Sequence, residues 1–156
     1  MTRSIAWLVV LSVAACSATG GGQSVGASQF AQEFKVACLD TYPTFQGAEA
    51  RILSLGYEET ETVQGQYSRP DIDYRTSPRF NLRRADGERS ACVGALPTRS
   101  EVEEGVEALQ ALVPLETLGT NSSIGTRLTF EDSSVSVSRR SAQGVPLLIF
   151  LVAEPR

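Results

Sequence analysis

The chain has 156 residues, a formal net charge of −4 and no histidine, and 42% of its residues are hydrophobic. The length favours one domain, and the apolar fraction is too high for a disordered chain. The acidic balance argues against nucleic-acid binding, which needs a basic face to neutralise phosphates. Without histidine the chain lacks the commonest general base and metal ligand, so we expect no metal site, no cofactor and no histidine-dependent catalysis.

The N-terminal region predicts export. Arg3 precedes the apolar run from Ile5 to Ala15, which only Ser12 interrupts. A helix needs ~20 apolar residues to span a bilayer, so this run has the length of a signal-peptide core. A buried helix of the mature domain is the alternative, but the Gly/Ser-rich segment that follows offers nothing to pack against it. We therefore expect residues 1–15 to be a signal peptide.

The sequence Val13-Ala14-Ala15-Cys16 resembles the lipobox of bacterial lipoproteins, in which an aliphatic residue and two small residues precede a cysteine. This resemblance covers only these four residues and the apolar run before them. It implies that Cys16 becomes the first mature residue and carries an acyl (palmitate-type) lipid anchor, and that Ser17, in place of Asp, directs the protein to the outer membrane facing the periplasm. The alternative is secretion as a soluble periplasmic or secreted protein, for example after cleavage behind Ala18.

The three cysteines are Cys16, Cys38 and Cys92. An odd cysteine in an exported protein needs an explanation, and lipidation of Cys16 provides one. The other two are then expected to form a disulfide in an oxidising compartment. Two buried free thiols are the rival interpretation. A zinc site would have too few soft ligands.

Residues 16–28 are expected to comprise the lipidated cysteine and a flexible Gly/Ser tether, and residues 29–156 a single domain. Its first helix is predicted because apolar residues recur at helical spacing from Phe30 to Cys38, before Pro43. A second helix is predicted from Thr44, a suitable N-cap, to Gly56, a suitable left-handed C-terminal residue.

Three strands are predicted next: a weak one over Glu61 to Tyr67, a longer one over Ile72 to Arg84, and one over Arg89 to Leu96. Pro78 interrupts the second of these, which indicates an edge or a bend. Ala85-Asp86-Gly87-Glu88 predicts a hairpin turn between the last two.

The length of this turn decides which face of the sheet carries Cys92. A two-residue Asp86-Gly87 loop pairs Phe80 with Val93 and places Cys92 on the face opposite Phe80. A three-residue loop pairs Phe80 with Cys92 instead. If Cys92 bonds to a helix packed on the Phe80 face, the three-residue loop is required.

A third helix begins near Ser100, which forms a predicted capping box with Glu103, and ends before Pro114. Its apolar stripe consists of Val102, Val106, Leu109 and Val113. Strands over Arg127 to Glu131, Ser134 to Arg139 and Val145 to Ala153 follow. The last is apolar on both faces, so we expect it at the centre of the sheet. The order ααβββαβββ predicts an α+β fold, with helices on one face of a mostly antiparallel sheet and one disulfide.

Two groups of charged residues are candidates for function. Asp71 and Asp73, beside Tyr74, are the nearest candidates for a two-carboxylate hydrolytic site, although Asp at this place commonly starts a turn. The candidate anion-binding residues are Arg79, Arg83, Arg84 and Arg89. The alternative is that these arginines protect exposed strands from edge pairing.

The anchor, the tether and the lack of a catalytic constellation favour a non-catalytic cell-envelope lipoprotein that acts as a binding or assembly module. Its expected partners are the membrane, through the lipid, and another envelope protein or an anionic envelope polymer, and not nucleic acid. The alternatives are a small periplasmic carboxylate-dependent hydrolase and a proteinaceous inhibitor of a secreted enzyme. An inhibitor would need a protruding rigid loop, for which residues 117–125 and 138–144 are the candidates.

Overall fold

A computed structural model of the chain describes residues 25–83, 90–121 and 125–154. The expected signal peptide, the lipidation of Cys16, the turn at residues 85–88 and the candidate residues Arg84 and Arg89 lie outside them. Within the described residues the chain forms helices α1 (Ala27–Ala37), α2 (Ala48–Ser54) and α3 (Val102–Gln110), with a short 3-10 helix at Leu39–Thr41. The strands are β1 (Glu58–Glu59), β2 (Gln66–Ser68), β3 (Arg79–Arg83), β4 (Ala91–Pro97), β5 (Thr117–Asn121), β6 (Gly125–Phe130), β7 (Ser133–Ala142) and β8 (Val145–Ala153).

The strands form one antiparallel sheet in the order β1-β2-β3-β4-β8-β7-β6-β5. The predicted α+β class is confirmed, and β8 lies inside the sheet between β4 and β7, as its apolar sequence predicts. The strands β1 and β5 were not predicted, because β1 has two residues and all residues of β5 are exposed. Neither strand carries the alternation of apolar and polar residues that identifies a half-buried strand.

The helices cover one face of the sheet and pack closely against it. A Cβ at Gly94 of β4 would lie 3.0 Å from ring atoms of Phe30 and Phe34 in α1. A Cβ at Gly105 of α3 would lie 2.8 Å from Leu148 of β8. The rings of Phe30 and Phe150 meet edge to face with centroids 5.5 Å apart. These contacts place the hydrophobic core between the helices and this single face of the sheet.

The predicted disulfide is confirmed: Cys38, directly after α1, bonds to Cys92 of β4, and both residues are fully buried. The register of β3 on β4 places Phe80 opposite Gly94 and Leu82 opposite Cys92, so neither register considered from the sequence is correct. The observed pairing differs by two residues from that of the three-residue loop. A shift of two preserves side-chain parity, and Cys92 therefore faces the helices together with Phe80, as the disulfide requires.

Several predicted element boundaries are wrong. Helix α1 begins at Ala27, inside the segment assigned to the tether, and Val25 also packs against the core. Thr44 does not cap α2; the chain instead enters that helix through Gly47, whose φ of +82° suits glycine. Most of the strand predicted from Ile72 onward is a loop that reverses at Asp73.

The capping box at α3 is also wrong. The N-cap is Glu101, which makes no side-chain capping bond, and its carboxylate instead binds Arg139 of β7 at 2.5 Å. The Ser100 hydroxyl accepts a hydrogen bond from Thr98. Because the N-cap is Glu101 and not Ser100, Ser100 and Glu103 are out of register for the reciprocal bonds of a capping box.

The two expected protruding loops are mostly strand. Residues 117–121 form β5 and residues 138–142 continue β7, so little of either segment remains as loop. A two-residue turn joins β7 to β8 at Gln143 and Gly144, with φ of 52° and 79°. Positive φ at both positions is typical of the tight hairpin turn that matches strand twist. The described parts of the two candidate segments are therefore strands and one tight turn, and inhibition of a secreted enzyme stays a prediction.

Candidate functional site

The second face of the sheet carries a continuous apolar strip that the helices do not cover. In β4 and β8, side chains alternate between the two faces, and those next to Cys92 and Val152 point away from the helices. Register places Val93 opposite Leu151, Ala95 opposite Ile149, and Pro97 opposite Leu147. We define the apolar strip as Ala91, Val93, Ala95, Pro97, Leu147, Ile149, Leu151 and Ala153.

The strip is two strands wide, and its side chains are intermediate in exposure or buried. Leu147 is the most buried member, with 9% of its surface exposed. A sheet face that meets water normally alternates to polar residues. The outward positions of β8 depart from that pattern, since Leu147, Ile149 and Leu151 all remain aliphatic.

Polar and basic residues border the strip on both sides. On the β7 side, Ser134, Ser136 and Ser138 lie opposite Ala153, Leu151 and Ile149, and Arg140 lies opposite Leu147. Arg127 of β6 lies beyond Ser136. On the other side, the outward residues of β3 are Arg79, Asn81 and Arg83. We call the strip together with these borders the open face.

The four arginines of the open face lack carboxylate partners. Arg83, Arg127 and Arg140 are exposed and make no hydrogen bond or ion pair with another residue in the described part of the chain. The guanidinium of Arg79 lies 4.0 Å from the ring centroid of Tyr74 and donates a 2.8 Å hydrogen bond to its carbonyl oxygen. Its charge is therefore held in place without being neutralised.

The electrostatics of the open face differ from those of the whole molecule. The chain has a net charge of −4. Within the described strands, the outward positions of β2, β3, β4, β6, β7 and β8 include four arginines and no acidic residue. The acidic residue in register on this side is Glu58, in the edge strand β1. The open face is therefore basic on an acidic protein.

Sequence reasoning found part of this site. Arg79 and Arg83 were candidate anion-binding residues, and the structure brings both to the border of the strip; that they bind an anion stays a prediction. Arg127 and Arg140 were missed. A signal existed for Arg140, because it continues the alternation of Ser134, Ser136 and Ser138 along the same strand.

The candidate carboxylates Asp71 and Asp73 lie in an exposed turn. Asp73 organises a turn: its Oδ1 accepts a 2.9 Å hydrogen bond from the amide of Arg75, and its carbonyl accepts bonds from Thr76 and Ser77. Asp71 is exposed. Tyr74 belongs to the border of the open face, where its hydroxyl accepts a 3.2 Å hydrogen bond from Gln66. This geometry agrees with the turn interpretation of the aspartates.

A groove of about 800 Å³ lies between α2 and the ends of β2, β3 and β4. Its wall contains two carboxylates, Glu49 and Glu59, together with Leu53 and Leu82. Glu59 already accepts a 2.7 Å hydrogen bond from the amide of Gly65 and so holds the β1–β2 connection. Sequence analysis had not singled out either glutamate, because neither forms part of a recognisable motif and only the packing of α2 beside the strands brings both to one groove.

A buried polar cluster joins α1 to the strand region. Glu33, 6% exposed, accepts hydrogen bonds from the Tyr57 hydroxyl at 2.5 Å, from Arg69 Nη2 at 2.6 Å and from Gln29 at 3.1 Å. Burial, followed by the bond to Glu33, raises the pKa of Tyr57 above its ordinary value. Since the carboxylate is used by three internal donors, the cluster acts as a brace between elements.

Comparison with known proteins gives no family, since no family model, curated protein or solved structure matches the chain. In the part of the chain that the structure describes, no helix has the length and apolar character needed to cross a membrane. The same part contains no cluster of three or more His, Cys, Asp or Glu residues that could hold a metal ion.

Proposed function

We propose that the protein is a non-catalytic binding module of the bacterial cell envelope, anchored through a lipid on Cys16, and that it binds another envelope protein through its open face. The observation that carries this proposal is the apolar strip with its basic border. Contiguous apolar surface rimmed by polar residues is typical of interaction sites.

The strip leaves part of its aliphatic surface in contact with water, since all its members except Leu147 are intermediate in exposure. Burying apolar surface contributes ~25 cal/mol per Å², and the outward aliphatic side chains of β4 and β8 gain only part of this from the sheet itself. Threonine at these positions would keep the β propensity and present a hydroxyl that hydrogen-bonds to water. A partner that covers the strip accounts for its composition.

The anchor suits the same function. Residues 17–26 separate Cys16 from α1, and a Gly/Ser-rich chain of this length has an r.m.s. reach of ~18 Å. A domain held at this distance from a bilayer can turn its open face toward a membrane protein or a periplasmic protein. Anchoring also raises the effective concentration of the module for partners at the same membrane.

The proposal is tested by photo-cross-linking in cells of the source organism. A photoreactive residue replaces Ser136, beside Leu151 on the open face, or, as the control, Glu104 on the exposed side of α3. We expect one discrete protein adduct from position 136 that is absent from position 104. The adduct should disappear when Ile149→Glu is added, provided that this variant keeps its thermal unfolding transition. Identical adducts from both positions, or none from position 136, would contradict the proposal.

A carboxylate-dependent hydrolase is the second candidate, and the groove with Glu49 and Glu59 is the observation that favours it. Two carboxylates facing one cavity are the minimum for acid–base hydrolysis without histidine. Hydrolysis of envelope glycans by the wild type, lost in Glu49→Gln but retained in Ile149→Glu, would support this candidate over the binding module.

A further inference from the structure

We infer that the segment bound by the open face is an amphipathic α-helix of a partner protein, with an aliphatic stripe flanked on both sides by Asp or Glu. This inference rests on the proposed function and specifies the chemistry of its partner. The aliphatic stripe would cover the strip, and the acidic residues would meet the arginines of the two borders.

The width of the strip fits one helix. Arginines lie on β3 at one side of the strip, and on β7 (Arg140) and β6 (Arg127) at the other. With strands ~4.8 Å apart, the backbone of β3 lies ~14 Å from that of β7 and ~19 Å from that of β6. A helix with its side chains is ~10–12 Å across, which leaves room on each side for an ion pair between long side chains. A second full sheet would be wider than the aliphatic surface available.

The length of the strip defines a short segment. From Ala153 to Leu147 the strip extends over six residue steps of β8, or ~20 Å at ~3.4 Å per step. A helix rises ~1.5 Å per residue, so ~14 residues, or four turns, cover this length. Such a helix presents its apolar residues at i, i+3, i+4 and i+7, as in other complexes in which a helix packs on an apolar surface.

The charge pattern requires an acidic occupant. Arg83, Arg127 and Arg140 are exposed and have no carboxylate partner in the described structure, and they lie on both sides of the strip. Packing a neutral or basic surface against them would desolvate their charges without compensation. Carboxylates at the rim of a helix would pair with guanidinium groups, which suit planar oxygen ligands.

The same features disfavour other occupants. A second copy docked through the same face would bring arginines against arginines, because a two-fold interface is self-complementary. A membrane surface is normally contacted through several Trp, Tyr or protruding apolar side chains, whereas the strip itself has no aromatic residue and is half-buried, and only Tyr74 at its border is an exposed aromatic of this face in the described residues. An anionic polymer would satisfy the arginines and leave the aliphatic strip uncovered.

The test uses the full mature chain with Cys16→Ser, so that no lipid or detergent competes for the strip. The first probe is a synthetic 14-residue helical peptide with a Leu/Ile stripe flanked by Glu on both sides, and the second is the same peptide with Lys in place of Glu. Vesicles containing phosphatidylglycerol and poly-glutamate are the third and fourth probes. We expect the acidic peptide to bind at least about tenfold more tightly than each of the others, with an affinity that falls as salt increases.

Two adjacent arginines provide a matched pair of variants. Arg140 points to the open face, whereas Arg139 points to the helix side and pairs with Glu101. Arg140→Gln combined with Arg127→Gln should weaken acidic-peptide binding about tenfold, and Ile149→Glu should abolish it, while Arg139→Gln leaves it unchanged. An equal loss of acidic-peptide binding in Arg139→Gln would show that binding depends on the net charge of the protein and not on the open face, and would overturn the inference.

The remaining outcomes separate the inference from the proposed function. Equal binding of both peptides, no peptide binding, or preferential binding of vesicles or poly-glutamate would overturn the acidic helix. If position 136 still gives a discrete protein adduct in cells, the binding module stands and only the helix is wrong. If position 136 gives no adduct, the proposed function fails as well.

Discussion

At the scale of single residues, side-chain parity along a strand decides which groups are available for function. Arg139 and Arg140 are neighbours in β7, yet Arg139 binds Glu101 of α3 and Arg140 reaches the open face without a partner in the described structure. Glu33, by contrast, is buried and used by three donors. The residues that can meet a partner are therefore those placed outward by the two-residue period of the strands.

The pairing of Tyr42 with Asp132 predicts a loss of stability in alkaline solution. The Tyr42 ring packs on Phe130 with centroids 5.1 Å apart, and its hydroxyl donates a 2.5 Å hydrogen bond to Asp132. Burial, followed by this hydrogen bond, raises the pKa of Tyr42 to about 12 from its ordinary 10.0. A raised folded-state pKa stabilises the fold fully below pH 10.0 and loses that contribution as the pH rises through about 12.

We therefore expect the free energy of unfolding to fall between pH 10.0 and about 12, and to fall less steeply in Tyr42→Phe. The slope persists in part because the pKa of Tyr57 is also raised, so its contribution declines in the same direction. Denaturant unfolding at a series of pH values measures both slopes. Equal slopes for the wild type and Tyr42→Phe would show that Tyr42 ionises equally in the folded and unfolded states.

At the scale of elements, the sequence predicted what each segment specifies by itself. Apolar residues at helical spacing identified α1, and the alternation of Val135 and Val137 with serines identified β7, whose two valines are fully buried. The odd number of cysteines identified the disulfide, because one cysteine was assigned to lipidation and two remained as a pair. The short strand β1 and the exposed β5 were missed because their structure depends on hydrogen bonds to neighbouring strands. The cap at Thr44 was wrong because the chain turns through Gly47 instead.

The candidate site was predicted only in part for a related reason. Arg79 and Arg83 cluster in sequence and were recognised as a group, whereas Arg127 and Arg140 join them only through the order and register of β3, β4, β8, β7 and β6. The double-sided apolar pattern of β8 correctly predicted its place within the sheet. That pattern alone does not show that the helices cover only one of its two faces.

The disulfide connects the helix layer to the sheet, and its removal is predicted to be costly. Cys38 and Cys92 are 54 residues apart, and a cross-link that closes a loop of this length restricts the unfolded chain by about 4 kcal/mol. Cys38→Ala with Cys92→Ala should lower the free energy of unfolding by about this amount, measured by denaturant titration. Cys16→Ala removes the cysteine that is not part of the bridge; it is the control and should leave the transition unchanged. A double variant as stable as the wild type would show that the disulfide makes no net contribution to the free energy of unfolding.

At the scale of the whole molecule, charge is divided between two surfaces. The helix side carries Glu103, Glu104 and Glu107 on α3, whereas the open face carries the arginines. An acidic partner is therefore repelled by one side and attracted by the other, which favours a single docking orientation.

The expected lipid anchor can be tested by mass spectrometry of the protein and by membrane fractionation. The lipobox resemblance implies that the mature protein starts at Cys16 and that its thiol carries a diacylglycerol. Cys16→Ser should move the protein from the membrane fraction to the soluble periplasmic fraction, because the anchor is removed while the domain has no described helix that could replace it. Intact-mass spectrometry of the wild type should show the lipid, and fractionation should show the shift.

Ser17→Asp is the matched control: the cysteine remains, so the lipid mass should be retained, and only the membrane in which the protein resides should change. A wild-type mass that matches an unmodified chain beginning after Ala18 would instead establish secretion without an anchor, and the binding module would then act from solution.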